Sequence, residues 1–178
     1  MHDSPVASAP QQGVRWVPPR GGHFKINVDG AVFLKQKAVG VGVVIRDSEG
    51  RLEAAPSKKI LLPLGAAEVE AKAFEVGLLF AKEVGVRDVV LEGDSIIVYN
   101  AICNYSLAPS SIVAVIHGIQ DISMEFRSVG YSHVRRQGNS PAHILAKYAS
   151  SINDYVVWIE EDPCCIMQAL VHDVNSIS

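Results

Sequence analysis

Three acidic residues lie inside or directly beside apolar segments of this sequence. Asp29 is near the end of FKINVDGAV, whose alternating apolar residues predict a buried strand. Asp94 follows the apolar run VVLEG, and Glu70 belongs to the helix-forming segment AAEVEAKAFEVGLLFAKEVG. A buried carboxylate without a partner costs several kcal/mol, so each of these acids requires an explanation.

Helical periodicity distinguishes Glu70 from its neighbour Glu68. At about 100° per residue, Glu70 shares a face with Phe74 and Ala81, which are apolar and predicted to pack on a sheet. Glu68 shares the opposite face with Lys72, as expected for a solvent-exposed surface. Glu70 is therefore the acid at the head of the buried stripe.

The two aspartates each have a simpler explanation. Asp29 precedes a glycine and could be a turn residue, and Asp94 or Ser95 could be the N-cap of a following helix, which is the favoured interpretation for Asp94 alone. If the two strands are neighbours and the helix packs across them, however, all three carboxylates converge. Carboxylates that repel one another are usually held together by a divalent cation, and hard oxygen ligands favour Mg²⁺ or Mn²⁺.

The elements that must position these acids follow from the apolar pattern. It predicts the order β-β-β-α-β-α-α-β-α, with the first three strands in an antiparallel meander. Pro56 in the third strand suggests a bulge or a sheet edge. Gly40 and Gly42 lie inside the second strand with no helix directly after it, which argues against a dinucleotide-binding fingerprint and suggests close packing against the first helix.

The two ends of the chain differ in composition from its centre. Residues 1–22 are rich in Pro, Ser and Gly and are predicted to form a tail, which Trp16 attaches to the rest. Residues 23–155 carry the predicted domain. Residues 156–178 form a C-terminal extension whose apolar side is expected to dock on that domain.

Composition limits the possible classes of function. The net charge is −3 and the pI is near 6.0, so a nucleic acid would have to be held by a local patch or by metal ions. Three cysteines, two of them adjacent, indicate neither a disulfide framework nor a zinc site. The N-terminus lacks the pattern of a secretory signal, and no apolar run reaches the ~20 residues of a membrane span. We therefore expect a soluble, intracellular protein that does not contact membranes. The sequence does not determine the oligomeric state, and a monomer is the default.

Five motifs in this order carry a resemblance to a known family: NVDGA, VGVGVVIRDSEG, AEVEAKAFEVGLLFAKEVG, VVLEGDS and HVRRQGNSPAHILAKYA. Together they resemble the ribonuclease H fold. More narrowly, they resemble plant ribonuclease H-like domains related to the C-terminal parts of non-LTR retrotransposon polyproteins. The resemblance implies an α/β fold with a five-stranded mixed sheet, in which an antiparallel meander of strands 1–3 is followed by parallel strands, with helices on both faces.

The resemblance also implies roles for individual residues. Asp29, Glu70 and Asp94 match the metal ligands of such enzymes, and His143 stands where the bacterial-type enzyme carries a fourth acid. A histidine there could bind the second metal or transfer a proton, and imidazole shifts the metal preference from Mg²⁺ toward Mn²⁺. Alternatively, His143 is a helix residue near the site without a chemical role. His133 falls within a strand and is expected to be structural.

The implied reaction is hydrolysis of the RNA strand of an RNA–DNA hybrid with two divalent ions ~4 Å apart. Hybrid recognition would depend on 2′-hydroxyl groups and groove shape rather than on base sequence. The candidate nucleic-acid contacts are Arg135, Arg136, Asn139 and Lys147, with Lys25 as a further candidate. The alternative for this basic segment is an ordinary solvated turn.

A second class of function stays open at this point. The chain could be a catalytically degenerate module that binds nucleic acid or a protein partner without cleavage. The net charge of −3 and His143 favour this alternative. The trio Asp29, Glu70 and Asp94 favours the enzyme, because a domain without metal has no physical need for three mutually repelling acids.

Overall fold

The computed structural model describes residues 14–177, in which a mixed six-stranded sheet carries helices on both faces. The strands are Phe24–Phe33 (β1), Ala38–Arg46 (β2), Leu52–Ile60 (β3), Asp88–Gly93 (β4), Ser128–His133 (β5) and Tyr155–Ile159 (β6). The helices are Ala66–Val84 (α1), Ile96–Ile102 (α2), Val113–Ser123 (α3), Ser140–Tyr148 (α4) and Met167–Asn175 (α5). None of these helices is both long and apolar enough to cross a membrane.

The strands lie in the order β5-β4-β1-β2-β3-β6. Strands β1, β2 and β3 form the predicted antiparallel meander, and β4 and β5 run parallel to β1. Helices α1, α2 and α3 contribute to the larger hydrophobic core on one face of the sheet, whereas α4 and α5 contribute to a smaller core on the other. The predicted fold class is thus confirmed.

The predicted number of five strands is wrong, because β6 adds a sixth at the edge of the sheet. Its sequence YVVWI consists of β-branched and aromatic residues, and it pairs antiparallel with β3. The predicted boundary between the domain and the C-terminal extension, after residue 155, lies directly after the first residue of this strand. A five-residue apolar run is compatible both with a strand and with one side of a docked helix, so the pattern alone does not distinguish these two structures. Because β3 lies between β2 and β6, Pro56 is opposite Val157 and not at a sheet edge.

Helix α1 approaches β1 closely through a glycine. A Cβ atom on Gly77 would lie 2.4 Å from Val28 Cγ1, so only glycine permits this separation. The helix ends at Gly85, whose φ of 91° is the left-handed conformation predicted for its C-cap. The close packing brings the first turns of α1 within reach of the β1 backbone.

Helix α4 is held against β2 in the same way from the opposite face. A Cβ atom on Gly40 would lie 2.2 Å from Ala146 O, and one on Gly42 would lie 2.2 Å from Ala142 O. The glycines therefore accommodate α4 and not the first helix, contrary to the prediction. Side chains alternate along a strand, so the buried valines at positions 41 and 43 face α1 and leave the glycines on the other face.

A buried polar cluster joins both ends of the described chain to the sheet. Trp16 is 1% exposed, its Nε1 donates to Asn27 Oδ1 at 3.0 Å, and its ring centroid lies 3.9 Å from Arg46 Cζ. Arg46 Nη1 donates to Asp173 Oδ2 at 2.8 Å, which links α5 to β2. Trp16 thus attaches the N-terminal segment as predicted, and the C-terminal helix docks on the same guanidinium.

Candidate metal centre

Three carboxylates from separate elements meet at one point of the structure. Asp29 lies in β1, Glu70 in α1, and Asp94 directly after β4. Strands β1 and β4 are parallel neighbours with Val28 opposite Gly93, which places the two aspartates at the same level of the sheet. One oxygen of each carboxylate lies within 4.8 Å of the other two. The convergence predicted from the sequence is therefore present.

The simpler explanations for the two aspartates do not apply. Asp29 is fully buried inside β1 opposite Gly42, and it is not in a turn. The N-cap of α2 is Ser95, whose Oγ accepts a hydrogen bond from Val98 N at 3.4 Å. The Asp94 carboxylate is consequently free of that role.

Glu68 and Glu70, in the first turns of α1, have different partners, as helical periodicity predicts. Glu68 Oε1 accepts from Gly65 N at 3.3 Å and so caps the start of the helix. Glu70 Oε1 instead accepts from Gly30 N at 3.3 Å, which turns its carboxylate toward β1. Glu70 is the acid that joins the cluster.

The electrostatics of the cluster favour a cation. Burial, followed by the charges of Asp29 and Asp94, raises the pKa of Glu70 from its ordinary 4.5 to about 9. Burial, followed by the charge of Asp94, also raises the pKa of Asp29. Asp29 Oδ1 and Glu70 Oε2 are buried and have no hydrogen-bond partner among residues 14–177. Closely spaced carboxylate oxygens with free lone pairs fit a hard divalent cation such as Mg²⁺ or Mn²⁺.

His143 lies against this cluster. Its Nδ1 is 2.7 Å from Asp29 Oδ2, and its Nε2 is 3.2 Å from Arg136 Nη1. A guanidinium can only donate, so Nε2 accepts and the proton of the neutral ring is assigned to Nδ1, which donates to Asp29. The pair with Asp29 orients the imidazole, and its Nε2 lone pair points toward the arginine.

The two arginines before α4 differ in their contacts. Arg136 begins a short 3₁₀ turn, Arg136–Gly138, and its Nε donates to Asp94 Oδ2 at 2.9 Å. The side chain of Arg135 is exposed and forms no ion pair within residues 14–177. Lys147 is also exposed, in the last turn of α4. Their contacts with nucleic acid stay predictions.

Two of the candidate nucleic-acid contacts do not face the surface. Lys25 is buried, with its Nζ 2.6 Å from Val17 O and 3.2 Å from Glu92 Oε2. Asn139 is fully buried, and its Nδ2 donates to Val28 O at 2.9 Å, so it attaches the start of α4 to β1. Neither side chain is placed to contact a nucleic acid, and both hold elements around the cluster instead.

Asn27 and Arg136 have structural contacts that the sequence interpretation missed. Asn27 donates to Glu92 Oε1 at 2.9 Å and to Asn139 Oδ1 at 3.2 Å, so it joins three elements beneath the cluster. The sequence does contain a signal for this contact. Asn27 and Asp29 are two residues apart on one strand and therefore lie on the same face, which predicts polar neighbours on that face. No comparable signal links Arg136 to Asp94, which is 42 positions away in the chain.

We expect the Glu70→Gln variant, prepared in EDTA, to be more stable than the parent above pH 7. The folded pKa of Glu70 is about 9, well above its ordinary value, so the folded protein binds a proton that the unfolded chain releases. Stability from this group is complete below about pH 4.5 and is lost as pH rises toward 9. At pH 8 the variant should be more stable than the parent by at least about 2 kcal/mol, measured by urea unfolding at pH 5, 6.5 and 8.

Glu68→Gln provides the matched control, since the same substitution is made two residues away at a helix cap. This control should keep the parent's decline in stability between pH 5 and pH 8. If the Glu70→Gln variant declines as steeply as the parent, the carboxylate is not the source of the pH dependence.

Comparisons with known proteins agree with the fold described above. A family model described as reverse transcriptase-like matches residues 27–149, a segment that contains the three acids and α4. RNase H1 from the halophilic archaeon Halobacterium salinarum is similar with a TM-score of 0.68 and 22% identity, over 72% of this chain and 98% of that protein. The N-terminal RNase H domain of a Mycobacterium tuberculosis protein gives 0.66 and 21%, over 72% and 94%.

A third solved structure, LC11-RNase H1 in complex with an RNA/DNA hybrid, has a TM-score of 0.65 and 21% identity, over 71% of this chain and 95% of that one. This RNase H1 was isolated from compost. No curated protein matches this sequence. The narrower resemblance to plant domains related to retrotransposon polyproteins stays a prediction. Because the matching family model covers more than half of the sequence, the chain belongs to the reverse transcriptase-like family, and its domain has the ribonuclease H-like fold.

Proposed function

We propose that this protein is a metal-dependent endoribonuclease that hydrolyses the RNA strand of RNA–DNA hybrids. The observation that carries the proposal is the cluster of Asp29, Glu70 and Asp94, whose oxygens lie within 4.8 Å of one another. In addition, Asp29 Oδ1 and Glu70 Oε2 are buried and accept no hydrogen bond from a donor group within residues 14–177. A related fold, LC11-RNase H1, has been solved in complex with an RNA/DNA hybrid, which supports the same substrate class.

Each residue of the cluster has a definable task in this proposal. Asp29, Glu70 and Asp94 would hold divalent ions, which when bound supply a water nucleophile and neutralise charge on the leaving oxygen. Asp29 is the most buried of the three, because it lies within β1 between two neighbouring strands. The exposed Arg135 and Lys147, together with Arg136, would contact backbone phosphates near the cluster.

The test is a cleavage assay with a labelled RNA–DNA hybrid in Mg²⁺ and, separately, in Mn²⁺. Single-stranded RNA and duplex DNA are run alongside, with Asp94→Asn as the inactive control. We expect cleavage of the hybrid's RNA strand alone, lost in Asp94→Asn. Absence of cleavage in both metals, with folded protein at high concentration, would contradict the proposal.

We expect His143→Asp to raise the Mg²⁺-dependent cleavage rate by roughly tenfold. A carboxylate is a harder ligand than imidazole and binds Mg²⁺ better, whereas imidazole favours softer ions. The ratio of the rate in Mn²⁺ to the rate in Mg²⁺ should fall in the same variant. His117→Asp, at an exposed position of α3, is the control for the added charge and should leave that ratio unchanged. An unchanged ratio in His143→Asp would show that His143 does not act at the metals.

A second candidate function is a module that binds nucleic acid without cleaving it. The observation that favours it is Arg136, whose Nε bonds Asp94 at 2.9 Å and whose Nη1 faces His143, so the acids have a positive partner from the chain itself. Such a module would bind the hybrid with equal affinity in EDTA and in Mg²⁺. The enzyme would bind it more tightly with the divalent ion.

A further inference from the structure

Arg136 connects the two sides of the acidic cluster. Its Nε donates to Asp94 Oδ2 at 2.9 Å, and its Nη1 donates to His143 Nε2 at 3.2 Å. His143 in turn contacts Asp29 Oδ2 through Nδ1 at 2.7 Å. A continuous chain of hydrogen bonds therefore runs from one aspartate to the other through a guanidinium and an imidazole.

This guanidinium uses acceptors that a divalent ion would also use. An imidazole nitrogen has a single lone pair, so His143 Nε2 can accept from Arg136 or bind a metal, but not both. Asp94 Oδ2 has a second lone pair, yet a guanidinium and a divalent ion at the same oxygen would repel each other. The contacts of Arg136 and the binding of an ion at Asp94 and His143 therefore oppose each other.

Arg136 is also placed so that it can leave the cluster. Its side chain is 58% exposed, compared with 12% for Asp94 and none for Asp29. It belongs to the short turn Arg136–Gly138 and not to the body of α4. A released guanidinium would lie in solvent next to the cluster, where a backbone phosphate could accept two hydrogen bonds from it.

We propose that Arg136 is an internal counter-cation that competes with the divalent ion for Asp94 and His143. Displaced by the ion, it becomes available to a nucleic-acid phosphate. Ion binding and nucleic-acid binding are then positively coupled through this one side chain, and the coupling is reciprocal. The inference rests on the proposed function, because it assumes that a divalent ion binds at the three acids.

The first test measures Mn²⁺ binding by titration calorimetry, without nucleic acid, in the parent, Arg136→Gln, Arg135→Gln and Asp94→Asn. We expect Arg136→Gln to bind Mn²⁺ roughly three- to thirtyfold more tightly than the parent, the range expected for removing a competing charged hydrogen bond. Arg135→Gln loses the same formal charge at an exposed neighbour without a contact to the cluster, and should stay within about twofold of the parent.

The outcomes separate this inference from the proposed function. If the parent binds Mn²⁺, Asp94→Asn does not, and Arg136→Gln matches the parent, the counter-cation role is wrong while the metal site stands. If neither the parent nor Arg136→Gln binds Mn²⁺, both proposals are overturned. Arg136→Lys keeps the charge but lacks the planar pair of donors, so its affinity should fall between those of the parent and Arg136→Gln.

The second test measures the affinity for a hybrid in Ca²⁺ and in EDTA at matched ionic strength, with an intact hybrid verified on a gel. The parent should bind more tightly in Ca²⁺, and this gain should be at least threefold smaller in Arg136→Gln. Arg135→Gln should bind more weakly in both conditions but keep the parent's ratio, because its phosphate contact does not depend on the ion. An Arg136→Gln protein with the parent's full ratio contradicts the coupling.

Discussion

The Asp29→Asn variant should lose hybrid cleavage by roughly 10³-fold or more, which corresponds to about 4 kcal/mol of barrier. Asp29 is fully buried and contributes one unpartnered oxygen and one oxygen bonded to His143, so it anchors the cluster from inside the sheet. Asparagine has nearly the same shape but supplies only one neutral oxygen. The metal affinity should therefore fall together with the rate, measured by Mn²⁺ titration and by single-turnover cleavage.

The folded state should survive this substitution. Burial raises the pKa of Asp29, so the neutral amide removes a charge that folding disfavours, and an unchanged or higher unfolding midpoint in EDTA is expected. Asp121→Asn, at an exposed position of α3, is the matched control and should keep the parent's rate. Cleavage by Asp29→Asn at more than a tenth of the parent's rate would place the reaction outside this cluster.

The second large effect concerns the buried ion pair behind the sheet, where Asp173→Ala should destabilise the protein by about 3–5 kcal/mol. Arg46 is fully buried and donates to Asp173 at 2.8 Å, while its Nε has no partner within residues 14–177. Removal of the carboxylate leaves a buried guanidinium that contacts the Trp16 ring and donates to Asn27 Oδ1 but has lost its ion-pair partner. Urea unfolding in Mg²⁺-free buffer measures the loss.

The pair itself does not need to be ionic. Burial raises the pKa of Asp173 and lowers the pKa of Arg46, so for both partners desolvation outweighs the mutual attraction. An Arg46→Met, Asp173→Leu double variant should therefore recover most of the loss seen in Asp173→Ala. Glu125→Ala removes the ion pair between Lys82 and Glu125, whose side chains are both about half exposed, and should lower the free energy of unfolding by less than about 1 kcal/mol. A loss as small as this in Asp173→Ala would mean that the buried charge is solvated by other means.

The local pattern of the sequence determined much of the site. Period-two alternation placed Asp29 within a strand, and the about 100° rotation per residue of a helix separated Glu70 from Glu68. These are properties of single elements, and they hold wherever the element lies in the fold. Other local signals predicted the order of the nine elements from β1 to α4, the C-cap of α1 at Gly85 and the attachment of the N-terminal segment by Trp16, but not β6 or α5.

Only the tertiary structure decided how those elements meet. Three features depend on which elements become neighbours. They are the helix that packs on the β2 glycines, the sheet edge at which β6 pairs, and the burial of Asn139. Contacts such as Arg46–Asp173 and Arg136–Asp94 join residues 127 and 42 positions apart, and no periodicity extends over such distances. The type and spacing of a side chain indicate what chemistry it can perform, but the packing of the whole chain determines its partner. For this reason the contact of Arg136 with Asp94 is visible only in the three-dimensional structure.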